Sequence, residues 1–261
     1  MKLSVITINY NNCSGLKKTI ESVVNQTATQ FEYIVIDGGS TDGSVDVIKE
    51  YSDKIDYWVS EPDRGIYNAM NKGIDVAKGE YCIFLNSGDW FYDYKILSLI
   101  IPHLDGTDVI AGHVIHDTGN ICNVPLKMTV QLLYSHQACC HQSSFIKTPL
   151  LKKYRYDENY KIVSDWTFFI QIFIYDNALY KPIDIIVSVY DTLGLSSNNR
   201  SLLDEEHVSV LRNDFPPRIY DYYIDNTASF GARLYNVIRR SKYNRFFELI
   251  AKYIFKILGR K

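Results

Sequence analysis

No stretch of the sequence approaches the roughly 20 consecutive apolar residues that a membrane-spanning helix requires, so no helical span is expected. Met1-Lys2 leads into a short apolar run that stops at Asn9, with no cleavage pattern, and a secretory leader is not expected either. Cysteine is scarce. Five residues, odd in number and irregularly spaced, do not make a disulfide framework, and a reducing cytoplasm is the expected location. No repeat or low-complexity tract is apparent. Familiar glycine-rich nucleotide loops are missing as well. The turn after Asp37 is not closed by Gly-Lys-Ser/Thr and does not read Gly-x-Gly-x-x-Gly, which disfavours a P-loop and a dinucleotide site.

Acidic residues nearly vanish from the end of the chain. Between positions 232 and 261 nine Lys or Arg face Glu248 alone, a local charge of +8. The whole chain carries −2, which leaves −10 on residues 1–231. The body is acidic and the tail basic, and no nucleic-acid partner is expected. What remains is a globular profile: 261 residues, 46% apolar and 22% charged, long enough to bury a large core.

Apolar runs predict strands at 3–8, 31–36, 57–60 and 81–85. Helices are expected between them. The first carries Leu16, Ile20, Val23 and Val24 on one face behind a Ser14 cap. The second covers 42–51. The third carries Ile66, Met70, Ile74 and Ala77 and is closed by Lys78-Gly79. Four strand–helix alternations in 90 residues mean a mostly parallel, Rossmann-like sheet with helices on both faces, hence an α/β class.

The pattern then becomes mixed. Expected are a helix at 93–104, a hairpin of 109–116 with 121–124, an amphipathic stretch at 128–134 and a strand at 143–146. An apolar helix at 165–175 capped by Ser164, a strand at 183–190 and a polar loop at 191–200 follow. With no linker in sight, one domain is expected over 1–200, with a nucleotide half at about 1–90 and an acceptor half at about 91–200. A helical, basic extension would occupy 201–261.

Two carboxylates, Asp37 and Asp89, stand at the carboxyl ends of two expected parallel strands, where open sheets bind ligands. The run 81–85 breaks abruptly into Asn86, Ser87, Gly88 and Asp89. A carboxylate released there beside a glycine can hold a divalent cation. The same residues also suit an ordinary strand-to-helix turn. His136-x-x-Cys139-Cys140-His141 has no usual zinc spacing.

Several segments, in order, resemble the family 2 glycosyltransferases of GT-A fold. They are Ser4-Val-Ile-Thr-Ile-Asn-Tyr-Asn11, Tyr33-Ile-Val-Ile-Asp-Gly-Gly-Ser-Thr-Asp-Gly43 and Ser60-Glu-Pro-Asp-Arg-Gly-Ile-Tyr-Asn-Ala-Met-Asn-Lys-Gly73. Ala77-Lys-Gly-Glu-Tyr81, Leu85-Asn-Ser-Gly-Asp89, His141-Gln142-Ser143 and Ser164-Asp165-Trp166 complete the set, which covers roughly 3–195.

The resemblance implies roles. Thr7, Asn9, Tyr10 and Asp37 would line the nucleoside site. Asp63 and Arg64 would border the nucleotide and donor sugar, and Asn68, Asn71 and Lys72 would face the same cleft. Asn86 would adjoin the donor, and Asp89 would bind the metal, Mg²⁺ or Mn²⁺. His141 and Gln142 would lie near the sugar or diphosphate, and Asp165 would be the general base. The implied enzyme is an inverting, hexosyl-type glycosyltransferase. It would use a nucleotide-diphosphate sugar, UDP being the expected nucleotide, and a saccharide or lipid-linked acceptor in surface polysaccharide synthesis.

The family often has Asp where this chain has Asn86 and Gly88, so only Asp89 remains charged in that motif. A nucleotidyltransferase would be expected to show a basic glycine-rich loop after the first strand, which 9–15 lacks. A non-catalytic sugar-nucleotide-binding protein would not require Asp37, Asp89 and Asp165 together.

In the tail, Phe246, Phe247, Ile250, Tyr253, Ile254, Ile257 and Leu258 share one helical face opposite Arg245, Glu248, Lys252 and Lys256. Such a basic amphipathic helix suits an anionic membrane surface, giving peripheral attachment through 232–261. Packing on the acidic body is the alternative. Co-sedimentation with anionic vesicles is expected for the full chain, weakened by salt, and lost in a chain ending near Ser229. Equal binding by both, or binding that ignores salt, rules the membrane role out.

Overall fold

The computed structural model describes residues 1–134, 139–192, 194, 199–213, 217–218 and 221. The chain divides into two units, Met1–His207 and Val208–Lys261. The amphipathic stretch 246–258 and His136 lie outside the described residues.

The first half follows the expected alternation. β1 (Leu3–Asn9), β2 (Phe31–Asp37), β3 (Tyr57–Ser60) and β4 (Tyr81–Phe84) are parallel neighbours in the order β3-β2-β1-β4. α1 (Cys13–Val24), α2 (Ser44–Glu50) and α3 (Ile66–Val76) connect them. β1 is buried along its whole length, as a strand covered on both faces must be. Leu3 and Val5 join Leu16, Ile20 and Val23 of α1 in one core cluster. On the other face Ile6 and Ile36 lie against α3. A Cβ on Gly73 would come within 2.5 Å of Ile6 Cγ2, so glycine sets the closeness of that packing.

The second half extends the same sheet with mixed polarity. β5 (Trp90–Phe91), β6 (Val109–His116), β7 (Ile121–Cys122), β8 (Ser144–Lys147) and β9 (Tyr180–Tyr190) complete nine strands ordered β3-β2-β1-β4-β8-β6-β9-β5, with β7 on β6. β8 runs antiparallel to β4 and to β6, and β5 antiparallel to β9. The hairpin of β6 and β7 is present, its second strand shorter than expected. α4 (Ile96–Ile100), α5 (Val130–Tyr134), α6 (Thr148–Tyr154) and α7 (Ser164–Ile170) lie among these strands. No described helix is long and apolar enough to cross a membrane.

Four local expectations change. Asn12, not Ser14, caps α1, its Oδ1 accepting from Gly15 N at 3.1 Å. Val163, not Ser164, occupies the cap of α7. Ser164 is the first helical residue, and its buried Oγ has no partner. The turn after β4 leads into β5 and not into a helix, because Asp89 and Trp90 are drawn to the far end of β9. The expected helix at 93–104 shortens to α4 followed by a 3₁₀ turn at Ile101–His103, where Pro102 interrupts the α pattern.

Gly73→Val should destabilise the protein by about 1–3 kcal/mol, because the added methyls must displace the stiff, branched Ile6. Urea unfolding measures it. An unchanged midpoint would mean that α3 does not set its height on the sheet through this contact.

Candidate active site

Sheet register assembles the first cluster. Asn9 pairs with Asp37, and Asp37 with Ser60, so three polar residues line up across the ends of β1, β2 and β3. The Asp37 carboxylate accepts from Asn9 Nδ2 (2.7 Å), Ser60 Oγ (2.6 Å), Ser40 Oγ (2.6 Å), and the backbone N–H groups of Ser40 (2.9 Å) and Gly39 (3.2 Å). Burial pushes its pKa up, but the hydrogen bonds from Ser40, Ser60 and Asn9 outweigh this and hold it below the usual carboxylate range. Its acceptor sites are filled from within, so Asp37 shapes the turn that a ligand would meet. Thr7 is fully buried, with its hydroxyl 3.0 Å from that of Tyr33.

Gly38 opens the space above this turn. A Cβ there would lie 2.5 Å from Asp63 Oδ2 and 3.2 Å from the Tyr10 ring, so Asp63 and the exposed Tyr10 converge over bare backbone. Beside them Glu158 gathers three of the expected residues. It accepts from Arg64 Nη2 (2.5 Å), Asn68 Nδ2 (3.0 Å) and Asn71 Nδ2 (3.2 Å). Asn71 also holds Tyr156 by both backbone groups, a structural duty. Lys72 turns away to Glu61 at 2.7 Å.

The second cluster spans the turn after β4 and the start of α7. Asp165 is approached on one oxygen by Tyr67 Oη (3.1 Å) and on the other by His141 Nδ1 (3.1 Å). His141 Nε2 in turn lies 3.2 Å from Asn86 Nδ2. The amide then donates, Nε2 accepts, and Nδ1–H donates to Asp165. Burial lowers the His141 pKa, but Asp165 and then Asp89 raise it to a net value above the ordinary one. Gln142 is buried next to it.

Asp89 is 5% exposed. Its Oδ1 accepts from Asp191 N at 2.9 Å, and its backbone carbonyl accepts from Thr19 Oγ1 at 2.7 Å. This carboxyl stands at about 7 in net, desolvation being the largest cause. The hydrogen bond from Asp191 N and the His141 charge lower it, and the Asp191 charge raises it. Three features of this corner suit a hard cation. The donors are carboxylate oxygens, Asn86 Oδ1 is buried without a partner, and bare Gly88 makes a cradle that a Cβ would fill. Among the described residues no group of three or more His, Cys, Asp or Glu could hold a metal unaided. Such an ion would need ligand oxygens as well.

Sequence reasoning missed Glu158, Tyr67 and Asp191. Tyr67 belongs to the segment Ser60–Gly73 but is one of 21 tyrosines. Trp166 is core, its indole N–H bonded to Leu133 O, and Trp90 carries Lys18 Nζ over its ring.

The sequence model described as glycosyl transferase family 2 matches residues 4–174. An uncharacterised glycosyltransferase of Mycobacterium tuberculosis is 34% identical over 207 residues, 75% of this chain and 77% of that protein. Among solved structures, S. aureus TarS 1–349 in complex with UDP-GlcNAc aligns with a TM-score of 0.66 at 20% identity, over 87% of this chain and 67% of that one. The chain spans 45% of a longer TarS chain. The Pyrobaculum calidifontis mannosyltransferase PcManGT, in complex with GDP-Man and Mn²⁺, aligns with a TM-score of 0.64 at 14% identity, over 100% and 88%. These likenesses identify the fold as GT-A.

The filled Asp37 carboxylate gives a sign. A carboxyl depressed by folding contributes stability that is present above its unfolded pKa of about 3.9 and lost as pH falls through the folded value. Asp37→Asn should remove that acid-side slope and cost on the order of 3 kcal/mol at pH 7, since buried donors lose their acceptor. Urea midpoints between pH 7 and pH 3 report both. An unchanged acid slope would mean that the Asp37 cluster does not form.

Proposed function

The chain belongs to glycosyl transferase family 2, and on that premise we propose that it transfers a hexosyl group with inversion. The donor is a nucleotide-diphosphate sugar, UDP-linked, and the acceptor is a hydroxyl of a saccharide or lipid-linked glycan in surface polysaccharide synthesis. The observation that carries the reading is the setting of Asp165. Both of its oxygens accept hydrogen bonds, which is the arrangement of an ionised carboxylate, and its side chain is 24% exposed. A general base must be both charged and reachable.

The residues divide the work. The Asp37 turn, with Asp63 and Tyr10 over Gly38, receives the nucleoside. Arg64, 76% exposed at its side chain, faces the diphosphate from the Glu158 latch. Asp165 takes the proton of the acceptor hydroxyl as it attacks the anomeric carbon, on the face opposite the leaving diphosphate. Tyr67 and His141 hold that carboxylate in one orientation. Asn86 and Gln142 border the sugar. Asp89 would hold Mg²⁺ or Mn²⁺, which when bound offsets charge on the departing diphosphate. The neighbouring structure with Mn²⁺ and GDP-Man supports a cation in this fold. The complex of TarS with UDP-GlcNAc supports a UDP-sugar donor. The basic tail at 232–261 would bring the acidic body to the cytoplasmic face of an anionic membrane.

Asp165→Asn should keep nucleotide-sugar binding within a few-fold yet lower transfer by 10²-fold or more. Donor binding by calorimetry and turnover by released nucleotide diphosphate separate the two. Equal loss of both would move Asp165 into the donor site and leave the base elsewhere.

A further inference from the structure

The turn after β4 carries a single carboxylate, Asp89, beside Asn86 and Gly88. The structure brings another carboxylate to the same corner from a distant part of the chain. Antiparallel pairing of β5 with β9 sets Trp90 opposite Val189 and Phe91 opposite Ser188. The same register carried past the strand ends sets Gly88 opposite Asp191. There Asp191 N donates to Asp89 Oδ1 at 2.9 Å.

The fit at Gly88 is specific. A Cβ at this position would lie 2.6 Å from Asp191 Oδ2 and 3.3 Å from its Cβ and Cγ, so any side chain at 88 would collide with the Asp191 carboxylate. Gly88 also has φ +110°, where L residues are strained. The loop bearing Asp191 is anchored from the other side. Asp117 N donates to Tyr190 O at 3.0 Å, and Thr192 Oγ1 donates to Asp117 Oδ1 at 2.8 Å. In the turn itself, Asn86 Oδ1 is buried without a partner.

We propose that Asp191 is the second protein carboxylate of the divalent-cation site, supplied in space to a turn that holds one carboxylate of its own, with Gly88 as the residue that admits it. The idea rests on the cation role given to Asp89 above. Two like charges this close repel, and a bound divalent cation is the group that would reconcile them. Oxygen atoms of the nucleotide diphosphate and water would complete the shell, as hard cations with few protein ligands require.

The test reads metal, not turnover. Free Mn²⁺ is followed by electron paramagnetic resonance on titration with the full chain, with and without UDP. UDP binding in excess EDTA is measured in parallel by calorimetry. Asp191→Asn should weaken Mn²⁺ binding in the presence of UDP by about 10-fold or more. It should leave UDP binding in EDTA unchanged. Its metal-free melting temperature should equal or exceed that of the parent, because a repulsive charge is gone. Gly88→Ala, which pushes the Asp191 carboxylate aside, should weaken Mn²⁺ in the same direction. Asp89→Ala serves as the reference and should abolish it. Parent-like Mn²⁺ affinity in Asp191→Asn, with binding lost in Asp89→Ala, overturns the role of Asp191 alone. Retention of Mn²⁺ by Asp89→Ala overturns the cation site itself. A fall in metal-free stability or in EDTA-resistant UDP binding in Asp191→Asn makes Asp191 a structural residue and also ends the proposal.

Discussion

Four aspartates crowd the carboxyl edge of this sheet, and the cost of removing each from water organises the site. A buried carboxylate must find donors or a cation, or it takes up a proton. Asp37 finds five protein donors and stays charged. Asp165 accepts from Tyr67 and His141 and stays 24% exposed at its side chain. Asp89 finds one backbone N–H beside a second negative charge, that of Asp191, and its proton affinity rises. Three acids of one residue type are thus told apart by the donors that the fold brings to each.

The scaffold creates those differences. Parallel register delivers Asn9, Asp37 and Ser60 to one line, which is why the first acid is saturated. Thr19, in the middle of α1, donates to the Asp89 carbonyl and accepts from Gly88 N, so the helix grips the turn after β4. α3, held low on the sheet at Gly73, presents Tyr67 to Asp165 and Asn68 and Asn71 to Glu158. His141 links the two acidic centres through Asn86, so charge gained at one is felt at the other.

The Glu158 latch adds a positional element. Arg64 is exposed, but its guanidinium is tied to a carboxylate that two buried asparagines also hold. A surface ion pair of this kind contributes little to stability by itself. Shared with Asn68 and Asn71, it instead fixes where the Arg64 guanidinium sits.

The sequence by itself determined the alternation of the first four strands, because continuous β-branched runs and helical periodicity are local signals. It also determined that Asp37 and Asp89 share an edge, because parallel strands end on the same side. Asp165 and His141 could be placed only by resemblance, since nothing local distinguishes a base from a helix-start acid. What the tertiary structure decided is the company each acid keeps. Tyr67 meets Asp165 across 98 residues and Asp191 meets Asp89 across 102. Such pairs arise from sheet register and helix packing, and a one-residue slip would undo them. That Gly88 is a space for a distant carboxylate, and not merely a turn glycine, follows from the antiparallel return of β9 against β5. No spacing along the chain carries that fact, because it depends on where two strands happen to meet.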